Sequence, residues 1–137
     1  TGDDFDLITP NPNNPTNNTA LGYVFILAED DVDADNDGLV DDPDDERGGG
    51  EIRFDFDKAV TFDTVLVLDC DANEVDTFTF YDEDGMELGA FPIPDLPDGS
   101  VQMIEVGLSG VYAAVIELGG SGAVAKLRFC PDPISDE

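Results

Sequence analysis

Residues 51–57 read EIRFDFD, and this stretch decides the fold class because charged and apolar side chains alternate along it without a break. A period of two places Ile52, Phe54 and Phe56 on one face of a β-strand and the charged residues on the other. Other strand-like runs are separated by turn signals rich in Gly, Pro and Asp. They are the apolar run at 21–28 and the runs at 64–69, 76–81, 86–91, 101–106, 111–118 and 123–129.

These runs show no helical period and therefore predict an all-β fold. We expect one domain over residues 1–137, a two-sheet antiparallel sandwich of about eight strands, most simply a jelly roll. The stretch TPNPNNPTNNT at 9–19 has no strand pattern, so residues 1–19 are predicted to form an extended N-terminal segment. No stretch approaches the ~20 apolar residues of a membrane span, and no membrane insertion is expected. The chain begins without Met, which is typical of a domain taken from a larger polypeptide.

The charge of the chain is strongly one-sided, with 33 acidic against 5 basic residues and a net charge of −28. Such a field repels nucleic acids and anionic membranes, so a nucleic-acid-binding role is excluded. Two explanations fit the excess acid and are compatible with each other. One is adaptation to a saline environment such as sea water, and the other is specific binding of cations.

The acidic residues concentrate in one stretch, VDADNDGLVDDPDDE at 32–46. A twelve-residue calcium loop supplies oxygen ligands from positions 1, 3, 5, 7, 9 and 12 and needs Gly at position 6. Counting from Asp33 places Gly38 at position 6, and the sequence predicts a calcium site in the acidic loop 29–50, between the first two main strands. The predicted ligands are Asp33, Asp35, Asp37, the carbonyl of Leu39, Asp41 and Asp44. The alternative is a solvated acidic loop without a bound ion.

This loop differs from the loop of a helix–loop–helix sensor. Position 12 is Asp44 rather than Glu, and Pro43 and the glycines at 48–50 do not allow an exiting helix. The loop resembles those of thrombospondin type 3 repeats and dockerins, which implies a structural ion. Calcium is expected rather than magnesium, because magnesium keeps more of its own waters.

Cys70 and Cys130 each end an apolar run. An even count favours a disulfide in an extracellular domain, so we expect these two residues to be paired. Two unpaired thiols are the alternative.

A family resemblance rests on an apolar strand ending in Glu29, the Asp/Asn/Gly loop, PDDE followed by glycines, and the FDF strand. With DFDLITPN at 4–11 and GSGAVAKLRF near the end, the chain resembles a galactose-binding-like jelly-roll domain of bacterial surface and secreted proteins. Arg47 departs from this pattern, because the family commonly has Ala after PDDE. The resemblance implies an extracellular, calcium-stabilised domain with a binding or scaffolding role.

The same resemblance implies a second calcium ion held between the start of the chain and the loop after an early strand. The candidate ligands on that analogy are Asp4, Asp6, Glu29, Asp45 and Glu46. The alternative for each of them is an ordinary surface acid.

Catalysis is not expected from this composition. The chain has no His, the commonest general base, and none of its Ser residues lies in a nucleophile motif. Pairs of carboxylates for glycoside hydrolysis are the one alternative that so many acids leave open.

The predicted ligand surface consists of Tyr81, near the end of a strand, and of Arg53, Lys126 and Arg128 on the polar faces of two strands. The alternatives are ordinary packing for Tyr81 and neutralisation of local acids for the cations.

The function expected is therefore a calcium-binding, non-catalytic extracellular module that binds a glycan or another surface protein. A structural spacer stiffened by calcium is the alternative, and a mineral- or matrix-binding domain with many weak calcium sites is a third.

Overall fold

The computed structural model describes residues 7–41, 43–70 and 75–134, and these residues form six strands and no helix. The strands are β1 (Phe25–Ile26), β2 (Gly50–Leu68), β3 (Asp76–Tyr81), β4 (Glu87–Ile93), β5 (Val101–Leu118) and β6 (Ala123–Pro131). All neighbours pair antiparallel in one sheet of order β1-β6-β2-β5-β3-β4. The all-β prediction is confirmed. The described residues contain no helix that is long and apolar enough to cross a membrane.

The number of strands is six rather than about eight because two pairs of predicted strands are continuous. The runs at 51–57 and 64–69 belong to the 19-residue β2, and those at 101–106 and 111–118 belong to the 18-residue β5. Register shifts between Asp55 and Thr64 interrupt the β2–β5 ladder without ending it. Such irregularities let a long strand bend, so the segments that resembled turns in the sequence are bends within strands.

The bent strands fold the sheet into two packed halves. The first half of β2 pairs with the second half of β5, next to β3 and β4, whereas the second half of β2 pairs with β6 and with the first half of β5. The larger of two hydrophobic clusters among the described residues joins both halves, from Val65 and Val67 on β2 to Phe78 on β3. The rings of Phe62 and Phe80 lie 5.0 Å apart although β2 and β3 are not paired. This packing of two halves is that of a β-sandwich.

Residues 11–17 form a closed turn, so the prediction of an extended segment is wrong for this part of the chain. The backbone N–H of Asn14 donates to the carbonyl of Asn11, that of Asn17 to Asn14, and that of Asn11 to Asn17, at 3.1, 3.2 and 2.9 Å. All three side chains are buried. The Asn14 amide donates to Ser100 Oγ at 2.9 Å and the Asn17 amide to the Gly99 carbonyl at 3.0 Å. The turn is thereby anchored to the connection between β4 and β5.

The predicted disulfide between Cys70 and Cys130 does not form. Cys70 is buried and its sulfur packs against Gly122, directly before β6. Cys130 is exposed and lies near the other end of β6, opposite Thr61 of β2. Eight residues of extended chain separate the two positions along β6, or about 25 Å. A disulfide requires Cα atoms within ~7 Å of each other.

Candidate metal-binding loop and aromatic cleft

The acidic loop leaves the sandwich after β1 and returns at a narrow neck. An isolated bridge pairs Ala28 with Asp45, and the Glu46 N–H donates to the Leu27 carbonyl at 2.8 Å. On the return path Gly49 has φ of 70°, and a Cβ atom at this position would overlap the Leu118 carbonyl. Only glycine fits there, which explains part of the glycine run before β2. The neck fixes both ends of the loop to the sheet.

Within the loop, Asp33, Asp35 and Asp37 each bring a carboxylate oxygen within 4.8 Å of the others. The Asp37 N–H donates to Asp33 Oδ1 at 3.1 Å and to Asp35 Oδ1 at 3.2 Å, and the Gly38 N–H donates to Asp33 Oδ2 at 3.0 Å. Asn36 and Gly38 have φ of 60° and 88°, a region that these two residue types adopt most readily. The order Asp-Asn-Asp-Gly therefore curls the backbone so that alternate carboxylates meet.

The other predicted ligands surround this group without joining it. The Leu39 N–H donates to Asp37 Oδ1 at 2.9 Å, and Asp41 Oδ2 accepts from the Ala34 N–H at 2.8 Å. Asp44 lies at the neck, where its carbonyl accepts from the Glu29 N–H at 3.0 Å. Three of the six predicted ligands are therefore brought together, while Asp41 and Asp44 lie outside the group of three.

The residues of the predicted second site do not meet within the described part of the chain. Asp45 is buried, and its Oδ2 accepts from the Gly122 N–H at 2.7 Å. Glu46 Oε1 accepts from the Gly48 N–H at 2.8 Å, and Glu29 is exposed. Asp4 and Asp6 lie outside the described residues. The second calcium site stays a prediction, and Asp45 has a structural role at the turn before β6.

Among the described residues, Asp45 is one of three buried acids that accept from glycine N–H groups. Asp69 accepts from Gly99 at 2.6 Å, and Asp76 accepts from Gly119 at 2.7 Å. The pKa of Asp76 is raised, mainly because burial disfavours the charged carboxylate. Hydrogen bonds from the Gly119 N–H and the Cys70 side chain lower this pKa in part, and the nearby charge of Asp95 raises it further. Sequence reasoning missed these roles because each Asp–Gly pair is distant along the chain.

The predicted basic patch is divided in the structure. Arg53 on the first half of β2 forms an ion pair with Asp55 at 2.9 Å, and Arg128 on β6 forms one with Asp63 at 3.1 Å. Both cations therefore form ion pairs with local acids, and their role in a ligand surface stays a prediction. Lys126 makes no ion pair with any residue that the structure describes. Tyr81 is partly buried at the end of β3.

An aromatic cleft of about 470 Å³ opens beside Lys126. The Phe25 and Phe54 rings lie 5.2 Å apart, and the Phe56 and Phe129 rings lie 4.9 Å apart. Phe25 is 54% exposed and Phe129 is 40% exposed, so the cleft is open to solvent. The sequence did not indicate that Phe25 and Phe129 meet Phe54 and Phe56, because the two pairs come from strands far apart in the chain. The full lining is Phe25, Phe54, Asp55, Phe56, Ala125, Lys126, Leu127 and Phe129.

No protein-family model and no curated protein matches the chain. Among solved structures, the chain is similar to a fucose-binding module of Streptococcus pneumoniae. The sequence identity is 16%, the TM-score is 0.45, and the match covers 64% of this chain and 69% of that module. At this level the likeness says nothing about which residues bind a ligand. The resemblance to a galactose-binding-like family stays a prediction.

Proposed function

We propose that the chain is a calcium-binding, non-catalytic β-sandwich module that acts in adhesion or carbohydrate binding within a larger bacterial surface or secreted protein. The observation that carries the proposal is the convergence of the Asp33, Asp35 and Asp37 carboxylates within 4.8 Å. Three like charges this close repel one another, and a divalent cation would turn that repulsion into attraction.

The chemistry of the loop suits calcium. Calcium takes six to eight oxygens at about 2.3–2.6 Å in a flexible arrangement. The three carboxylates, the Leu39 carbonyl and water would supply oxygens of the required type, and a carboxylate of Asp41 or Asp44 would have to move to join them. Extracellular modules bind calcium with Kd on the order of 10⁻⁴–10⁻³ M, which suits an exposed loop on the outside of a cell.

The aromatic cleft favours a binding module over a spacer. Exposed aromatic side chains that form one patch on a soluble domain usually mark an interaction site, because they cost solubility otherwise. Phe25 and Phe129 are such side chains, and they lie side by side with Phe54 and Phe56 around one opening. A domain that served only as a spacer would gain nothing from this arrangement.

The proposal is tested by thermal unfolding of the wild-type protein and the Asp35→Asn variant in EDTA and in graded calcium. The Asp35 side chain accepts only one hydrogen bond among those described, from the Asp37 N–H, and Asn retains an acceptor for it. Calcium at one hundred times its Kd stabilises a folded protein by about 2.7 kcal/mol, or roughly 10 °C in Tm for a domain of this size. We expect this shift in the wild type and a loss of most of it in the variant.

The matched control is Asp84→Asn, which removes one exposed acid in the turn between β3 and β4. It should keep the full calcium shift. If sodium chloride at the same ionic strength or magnesium reproduces the shift, or if Asp35→Asn responds to calcium like Asp84→Asn, the loop is not a calcium site.

A further inference from the structure

Consecutive residues of two strands line the aromatic cleft, namely residues 54–56 of β2 and residues 125–127 of β6. Neighbouring side chains of a strand point to opposite faces of the sheet. Three consecutive residues can therefore line one cleft only where the edge of the strand faces it. The cleft lies between two strand edges.

Both edges are unpaired within the described part of the chain. Residues 50–55 of β2 pair with β5 on one side, and the pairing of β2 with β6 begins only at Val60. Pro131 and Pro133 have no N–H to extend that ladder towards residue 54. On its other side β6 pairs with β1 only at Ala123 and Val124, so residues 125–129 have no partner strand there.

The edge of β6 is open because the chain joins this edge only at Phe25. If β1 continued antiparallel to β6, Val24 and Tyr23 would lie opposite Ala125 and Lys126. Instead β1 begins at Phe25, Gly22 has φ of 73°, and Tyr23 is fully exposed. The space that one more strand would fill is the aromatic cleft.

We propose that this cleft binds an extended peptide segment of a partner protein, which adds to the edge of β6 as a further strand. The inference deepens the proposed function, on whose binding role it rests, by naming the class of partner. Backbone N–H and C=O groups of the peptide pair with residues 125–129, and every second side chain enters the cleft among the four phenylalanines. The bound segment thus carries large apolar residues at alternate positions.

The positive charge of Lys126 predicts a second property of the partner peptide, an acidic side chain. Lys126 lines the cleft without an ion pair to a described residue, so a peptide carboxylate beside it would be attracted by the opposite charge.

A second copy of this chain is a poor occupant, because each copy carries a net charge of −28 and the two would repel. A sugar is also a poor occupant. Among the described residues that line the cleft, Asp55 is the one polar side chain besides Lys126, and Arg53 already engages it, so few side-chain partners remain for sugar hydroxyls.

The test is a selection of short random peptides displayed on phage against the wild-type domain in saturating calcium. Enriched sequences should alternate large apolar residues with polar ones and include Asp or Glu. Their synthetic peptides should bind the Phe25→Ala and Lys126→Glu variants about tenfold or more weakly, by fluorescence anisotropy. Met103→Ala and Arg47→Glu are the controls, since they remove an exposed apolar side chain and reverse a charge elsewhere. Both should bind like the wild type.

Backbone pairing is tested separately by amide hydrogen exchange. The bound peptide should protect amides within residues 125–129, and the same peptide with N-methyl groups on alternate backbone nitrogens should not bind.

The inference would be overturned by enriched sequences without alternation, by equal binding to Phe25→Ala and the wild type, or by no enrichment at all. So would dimerisation through the cleft, or a glycan that binds the wild type and not Phe25→Ala. Peptide binding together with a calcium-insensitive melt would leave this inference standing and refute the calcium site.

Discussion

At the scale of single residues, buried polar side chains hold the connections between strands. Asn14 is the clearest case. Its amide nitrogen donates to the Asp98 carbonyl and to Ser100 Oγ, both at 2.9 Å, and its Oδ1 accepts from Thr16. The side chain therefore ties the N-terminal turn to the start of β5. A buried acceptor that loses its donor keeps the cost of having left water, so these hydrogen bonds matter more than exposed ones.

The Asn14→Ala variant should lower the free energy of unfolding by about 2–3 kcal/mol, because it removes the hydrogen bonds of a buried amide, including the one to the buried Ser100 hydroxyl. Urea unfolding at a fixed calcium concentration measures this change. Asn13→Ala is the matched control, since the Asn13 side chain is exposed. Its effect should stay within about 0.5 kcal/mol. Equal effects of the two variants would show that the turn does not depend on the buried amide.

At the scale of elements, two long bent strands replace four predicted short ones. In β2 the segment KAVTFD at 58–63 contains no Gly or Pro and still carries the register shifts of the ladder. In β5 the segment GLSG at 107–110 has the composition of a turn, yet it lies inside a strand. The bend at 107–110 has the residue types of a turn between strands, whereas the bend at 58–63 has none of them, so local sequence does not tell a bend from a turn.

The length of β6 keeps Cys70 and Cys130 apart, so both cysteines remain thiols, and their reactivity can be predicted. In the native protein Ellman's reagent should titrate one thiol, the exposed Cys130, and a second thiol only after unfolding. Dithiothreitol should leave the Tm unchanged, because no disulfide constrains the unfolded chain. Mass spectrometry of the alkylated native protein identifies the reactive residue. A fall in Tm on reduction would contradict the separation of the two residues along β6.

At the scale of the whole molecule, charge opposes folding. The net charge is −28, and the two ion pairs among the described residues are exposed pairs that contribute little. Repulsion among so many acids is reduced by dissolved ions. The screening length falls from about 10 Å at 0.1 M salt to about 3 Å at 1 M, which is shorter than most distances between surface charges.

The Tm should therefore rise by several degrees between 0.1 and 1 M sodium chloride, by general screening of the charged surface. The Asp35→Asn variant should keep this rise while it loses the response to calcium, because screening does not need the loop. Differential scanning calorimetry of both proteins in both salts separates the two effects. A Tm that is independent of sodium chloride would show that surface repulsion is not a significant cost.

The sequence by itself determined the features that arise from neighbouring residues. Alternation at 51–57 specified a strand with one apolar face, because side-chain direction in a strand has a period of two. The order Asp33, Asp35, Asp37, Gly38 predicted the convergence of three carboxylates, because short-range turns set their spacing. The sequence did not predict that Asn11, Asn14 and Asn17, which recur at every third position, close a ring of backbone hydrogen bonds.

Only the tertiary structure decided what depends on residues far apart in the chain. The contact of Phe25 with Phe54, the buried pair of Asp45 and Gly122, and the separation of Cys70 from Cys130 all follow from how the bent strands pack. The two unpaired edges that flank the aromatic cleft arise because β1 pairs with β6 only as far as Val124 and β2 pairs with β6 only from Val60 onward. Pairing between strands depends on the competition among all possible partners, which no local pattern encodes.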